Sequence, residues 1–80
     1  MDTQDFFDLQ EEFFSIARTN LAPDDEEAFS DVIQEAKWHV NDWYNNDSYY
    51  PKPEDILQDF FFLTPEQAHR FLPLFRSEDF

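Results

Sequence analysis

The chain has 80 residues, of which 19 are Asp or Glu and five are Lys or Arg, for a formal net charge of −14. It holds eleven Phe and neither Cys nor Gly. These numbers make it one domain spanning residues 1–80 and exclude disulfides, thiolate metal sites, glycine-rich phosphate loops and any basic footprint for direct nucleic-acid or anionic-membrane binding.

Residues 3–20 repeat apolar side chains at helical spacing. Phe6, Leu9, Phe13 and Ile16 form one row, and Phe7, Phe14, Ala17 and Leu21 an adjoining one. Thr3 or Asp2 could cap the start, and Asn20 could end the helix in a left-handed conformation. The segment LAPDDEEAF opens a second helix, with Asp24 and Glu27 spaced as a capping-box variant. Its apolar face is Phe29, Val32, Ile33, Ala36, Val40, Trp43 and Tyr44, and Asn45 and Asn46 stop it. Residues 47–53 contain two prolines around Lys52, which disfavours helix and predicts an ordered connector presenting Tyr49 and Tyr50. A short helix from Pro53 turns Ile56, Leu57, Phe60 and Phe61 inward and Asp55 and Asp59 outward. Thr64, Pro65 and Gln67 then read as cap, first-turn proline and box partner of a last helix. Ala68, Phe71, Leu72 and Phe75 make its apolar face, Pro73 should kink or end it, and residues 76–80 should fray.

The fold class this implies is all-α, a small compact bundle of three to four helices. The two long helices should pack antiparallel across the Leu21–Pro23 turn, with the shorter ones covering the aromatic seam. Lacking glycine, turns that need positive φ should fall to Asn or Asp.

Charge at this density would keep a chain disordered, whereas 20% aromatic residues argue for a packed core. A folded chain that retains so much like charge fits a strongly basic partner. The acidic residues fall in stripes: Asp5, Asp8, Glu11 and Glu12 on the first helix, and Glu27, Asp31, Glu35 and Asp42 on the second. Carboxylates three or four residues apart stand about 5–6 Å from each other, so neighbouring stripes can imitate the charge of a nucleic-acid backbone. The plainer alternative is a solvated face, although solubility needs a net charge of only about 2–8. Some aromatics fit no single core face. Trp38 falls between the core and acidic sides of helix two, Phe62 lies off the Phe60–Phe61 stripe, and Tyr49 and Tyr50 sit in the connector. Tyr and Trp are enriched at binding hot spots.

Catalysis and metal binding find little support. Glu66 and His69 have the spacing of a di-iron half-site, but no second copy is present. Glu35, His39 and Asp42 could share a helical face without an apolar shell around them. The DDEE run lacks the alternation and glycine of a calcium loop. Four scattered Ser and two His give no nucleophile–base pair. The expectation is a protein that is not an enzyme and carries no cofactor or metal. Neither a signal peptide nor a membrane span is readable, so a cytoplasmic location is expected.

In size, charge and aromatic content the chain resembles the small acidic DNA mimics of phages and mobile elements, which block restriction enzymes, CRISPR effector complexes and other DNA-binding proteins. A second resemblance is to the colicin-type nuclease immunity proteins, small acidic four-helix bundles in which a Tyr-Tyr-Pro segment follows an acid-rich second helix. Here Tyr49-Tyr50-Pro51 follows the helix that begins DDEE, while the chain after Pro53 departs from that pattern. Both resemblances imply a helical acidic inhibitor in a bacterial host cell that covers the basic nucleic-acid groove of a protein target. The expected contact residues are Glu27, Asp31, Glu35, Asp42, Asp5, Asp8, Glu12 and Trp38, with Tyr49 and Tyr50 implied by the immunity resemblance. A different class is an adaptor or subunit whose aromatic edge docks a helix or a second copy of itself, as a homodimer.

Overall fold

Two amphipathic segments of equal length dominate the chain, and two shorter ones follow. The computed structural model describes residues 3–45, 49–77 and 80. Its helices are α1 (Thr3–Leu21), α2 (Glu26–Tyr44), α3 (Pro53–Phe61) and α4 (Pro65–Phe75), and no strand occurs among the described residues. The described residues therefore form an all-α bundle of four helices. The expected roles of Asp2 and Asn46 lie outside the described residues, as does part of the connector before Tyr49.

Local chemistry sets the helix boundaries. Asp25, extended at φ −153° and ψ 172°, caps α2 by accepting the Ala28 amide at 2.8 Å. The cap is thus one residue later than the Asp24–Glu27 spacing implied. Thr64 and Gln67 form the expected reciprocal box, each side chain accepting the other's amide at 3.2 and 3.0 Å. Asn45 ends α2. Pro73 does not end α4, which continues to Phe75. Leu74 and Phe75 are both buried, and that burial offsets the backbone bond the proline removes.

Among the described residues, left-handed positions fall to Ala22 (φ 46°) and Phe62 (φ 55°), not to Asn or Asp. Each costs on the order of 1 kcal/mol for a residue with a Cβ. Asn20 remains inside α1 and does different work. Its side-chain amide donates to the carbonyls of Phe61 and Phe62 at 3.0 and 3.3 Å, tying the end of α3 to the end of α1. That contact holds the chain where Phe62 turns.

The core is an aromatic cluster centred on Phe13. The rings of Phe61, Phe71 and Phe75 meet it edge-on at centroid distances of 5.0, 5.5 and 5.3 Å. Ala17, Phe29, Ala36, Val40, Ile56, Leu57, Ala68 and Leu74 fill the space around them. Edge-to-face geometry lets bulky rings pack at crystal-like density in a small domain.

The arrangement of α1 and α2 differs from expectation. They approach each other least among the helix pairs, while α4 packs on α1, and α3 packs on both α2 and α4. Large rings keep the long helices apart. Phe14 and Phe29 meet edge-on at 6.0 Å, and Phe80 stacks on Phe14 at 5.8 Å. Phe80 is therefore packed, although the sequence implied fraying there. Lys37 Nζ donates to its main-chain oxygen at 2.9 Å.

Candidate interaction surface

The core face of α2 fixes what its other face presents. Phe29, Ile33, Ala36 and Val40 are buried, so Glu27, Asp31 and Glu35 project into solvent at successive four-residue steps. Asp42 lies one turn beyond Trp38 and is partly covered. Among the described residues, no cation pairs with any of these four carboxylates.

Trp38 stands within this stripe. It follows Asp31 by seven positions and Glu35 by three, and precedes Asp42 by four, which places it on the same side of the helix. Its exposure is 60%. The sequence placed it between the core and acidic sides, but the structure puts it on the acidic one. Its ring meets that of His39 edge-on at 4.9 Å, and His39 in turn packs against Phe60 at 5.2 Å. The histidine thus serves as an aromatic prop beside the indole.

The α1 stripe has a different setting. Asp8 accepts from Gln4 at 3.0 Å, and Glu12 pairs with Arg70 of α4. Asp5, Asp8 and Glu12 border one shallow depression whose remaining walls are Leu9 and Arg70. This acidic row leans on α4, and one of its charges is locally compensated. Near the helix junction, Arg18 pairs with Glu26. The hydrogen bond to Glu26 raises the Arg18 pKa, and the reciprocal bond lowers that of Glu26.

The two tyrosines part company. Tyr49 is fully exposed, whereas Tyr50 is packed against the core cluster and its carbonyl accepts the Trp43 indole N–H at 3.0 Å. Burial, followed by the Asp59 charge and a hydrogen bond to it, pushes the Tyr50 phenol above its ordinary value. Tyr49 projects into solvent, and Tyr50 is partly structural. Other exposed aromatics are Phe62 and Phe7, at 69% and 51%. Phe7 had an inward position in the apolar pattern, but only its neighbour Phe6 packs on the core.

Among the described residues, no three His, Asp or Glu side chains converge as metal ligands. His69 lies 3.5 Å from Glu54 on α3. No described helix is long and apolar enough to cross a membrane.

No protein-family model, curated protein or solved structure matches this chain.

Proposed function

We propose that the chain is a non-enzymatic inhibitor of the phage or mobile-element type, acting in the cytoplasm of a bacterial host. It covers the basic nucleic-acid-binding surface of a target protein with the outer face of α2. The observation that carries this reading is a carboxylate row, Glu27, Asp31 and Glu35, without a cation among the described residues and with an exposed Trp38 inside it. Carboxylates supply the charge complementarity that steers association and is screened by salt. The indole supplies an apolar anchor of the sort that dominates binding energy. Proteins that hold single strands pair a basic groove with stacking platforms for bases. Such a groove would take Trp38 where a base stacks and the carboxylates where phosphates lie.

The α1 row of Asp5, Asp8 and Glu12 extends the acidic field but makes the weaker contact, because Arg70 answers part of it. Fluorescence anisotropy of a labelled oligonucleotide on the captured target tests the reading. The unaltered protein should displace the oligonucleotide, and Trp38→Ala should do so much less well.

A second reading, immunity against a nuclease toxin, draws on the full exposure of Tyr49 beside the acid-rich helix. It requires Tyr49→Ala to weaken toxin binding by on the order of 2 kcal/mol.

A further inference from the structure

The five Lys and Arg residues are not spread evenly in their roles. Arg18 is taken by Glu26, Arg70 by Glu12, and Lys37 by the main-chain oxygen of Phe80. The Lys52 and Arg76 side chains are the cations without a hydrogen bond or ion pair among the described residues. They are 24 positions apart in sequence, yet both line one groove between the ends of α2, α3 and α4.

The groove has an apolar floor. Trp43, Tyr44, Pro53, Leu72 and Pro73 contribute to its walls. The Trp43 indole is held by its bond to the Tyr50 carbonyl at 3.0 Å, and Pro53 is buried. Arg76 lies over the Tyr44 ring at 4.2 Å, which fixes a planar guanidinium at the rim. Stacked in this way, the guanidinium keeps its hydrogen-bonding edge for a ligand. Glu54 brings the groove's own carboxylate, and His69 stands 3.5 Å from it. The groove is open to solvent on one side and offers about 740 Å³, within the range of about 300–1,000 Å³ usual for small-molecule sites.

We infer that this groove binds a small aromatic anion, a flat ring system bearing a carboxylate or phosphate. The ring lies against Trp43 and Leu72, and the anionic head lies between Lys52 and Arg76. Charge selects the size of the occupant. The molecule as a whole repels anions, but screening limits that repulsion to a range of about 8 Å at physiological salt. A ligand contained in the groove feels the two cations first. A polyanion running out of it meets the carboxylates elsewhere on the surface. The site lies apart from the outer face of α2 and stands whether or not that face binds a target.

Proton–nitrogen NMR of the two indole groups tests the inference, because Trp43 lines the groove and Trp38 does not. The probes are 2-naphthoate and 2-naphthyl phosphate, with uncharged 2-naphthamide as the control. Both anions should move the Trp43 signal saturably, with a dissociation constant on the order of 1 mM or tighter, and leave Trp38 in place. The preferred anion identifies the head group. Lys52→Gln with Arg76→Gln should weaken anion binding at least tenfold while leaving the dichroism unchanged, since both residues are exposed. Raising salt on the unaltered protein should weaken the anions and spare naphthamide, which provides a second test if the double variant misfolds. Equal binding of naphthamide, shifts at Trp38 alone, or salt-independent anion binding would each overturn the assignment.

Discussion

The outer faces of α1 and α2 carry the same kind of side chain at similar spacing, and they differ in what stands beside it. On α1, Glu12 meets Arg70 and Asp8 meets Gln4, so the row is partly answered from within the fold. On α2, Glu27, Asp31, Glu35 and Asp42 have no cation among the described residues, and Trp38 rises among them. A merely solvated face gains nothing from an exposed indole. A contact face gains an anchor. Charge count alone therefore ranks the two helices as equals, whereas their neighbours separate them.

Reversing the charge of α2 should have the largest effect. Glu27→Lys, Asp31→Lys and Glu35→Lys together shift the net charge by about +6 without touching the buried face. Target binding should fall by two orders of magnitude or more, while Asp5→Lys with Asp8→Lys should reduce it only several-fold. Titration by surface plasmon resonance at fixed salt distinguishes them, and equal losses would erase the difference between the helices.

Trp38→Ala should come next, costing on the order of 2 kcal/mol of binding with almost no change in melting temperature, since the indole is largely exposed. A marked loss of stability would make Trp38 a packing residue held by His39, and the α2 face would lose its anchor.

Arg70→Gln addresses the other helix. It releases Glu12 at the surface and should cost about 0–1 kcal/mol of stability. Its more telling result would be in binding. An unanswered α1 row should become more like α2, so target affinity should rise slightly at low salt.

Most of the helical architecture was legible in the sequence. Apolar spacing marks α1 and α2, and Thr64-Pro65-Glu66-Gln67 marks the start of α4 by local hydrogen bonding alone. Contacts between distant parts of the chain were not legible. The pairing of Glu12 with Arg70 spans 58 positions, and the bond from Asn20 to Phe61 spans 41. Neither leaves a periodic signal. Ala22 and Phe62 in left-handed conformations contradict residue preference, and at Phe62 a tertiary contact, the Asn20 amide on its carbonyl, holds the turn. The separation of α1 from α2 depends on how the rings of Phe14, Phe29 and Phe80 fill a wedge, which no spacing reveals. The acidic stripe itself was readable, but not the exposure of Trp38 within it or the placement of Lys52 and Arg76 on one groove.

The smallest expected effect concerns the edge of the tyrosine connector. The Tyr50 phenol is raised above the ordinary value of 10.0 by burial first and Asp59 second. A raised folded-state value means that its contribution to stability is fully present below the unfolded pKa and is lost as pH rises through the folded one. Stability should therefore decline above about pH 10, and Tyr50→Phe should flatten that decline. Ultraviolet titration should show one phenol ionising late, and its persistence in Tyr50→Phe would place the effect on another tyrosine.

Capture from bacterial lysate on three immobilised forms tests the central claim most directly: the unaltered chain, the α2 triple-Lys variant and the α1 double-Lys variant. A nucleic-acid-binding protein should be retained by the unaltered and α1 forms, be absent from the α2 form, and leave the column when a single-stranded oligonucleotide is added at low salt. Retention of the same protein by the α2 variant, or its failure to leave in the presence of the oligonucleotide, would contradict nucleic-acid mimicry by α2.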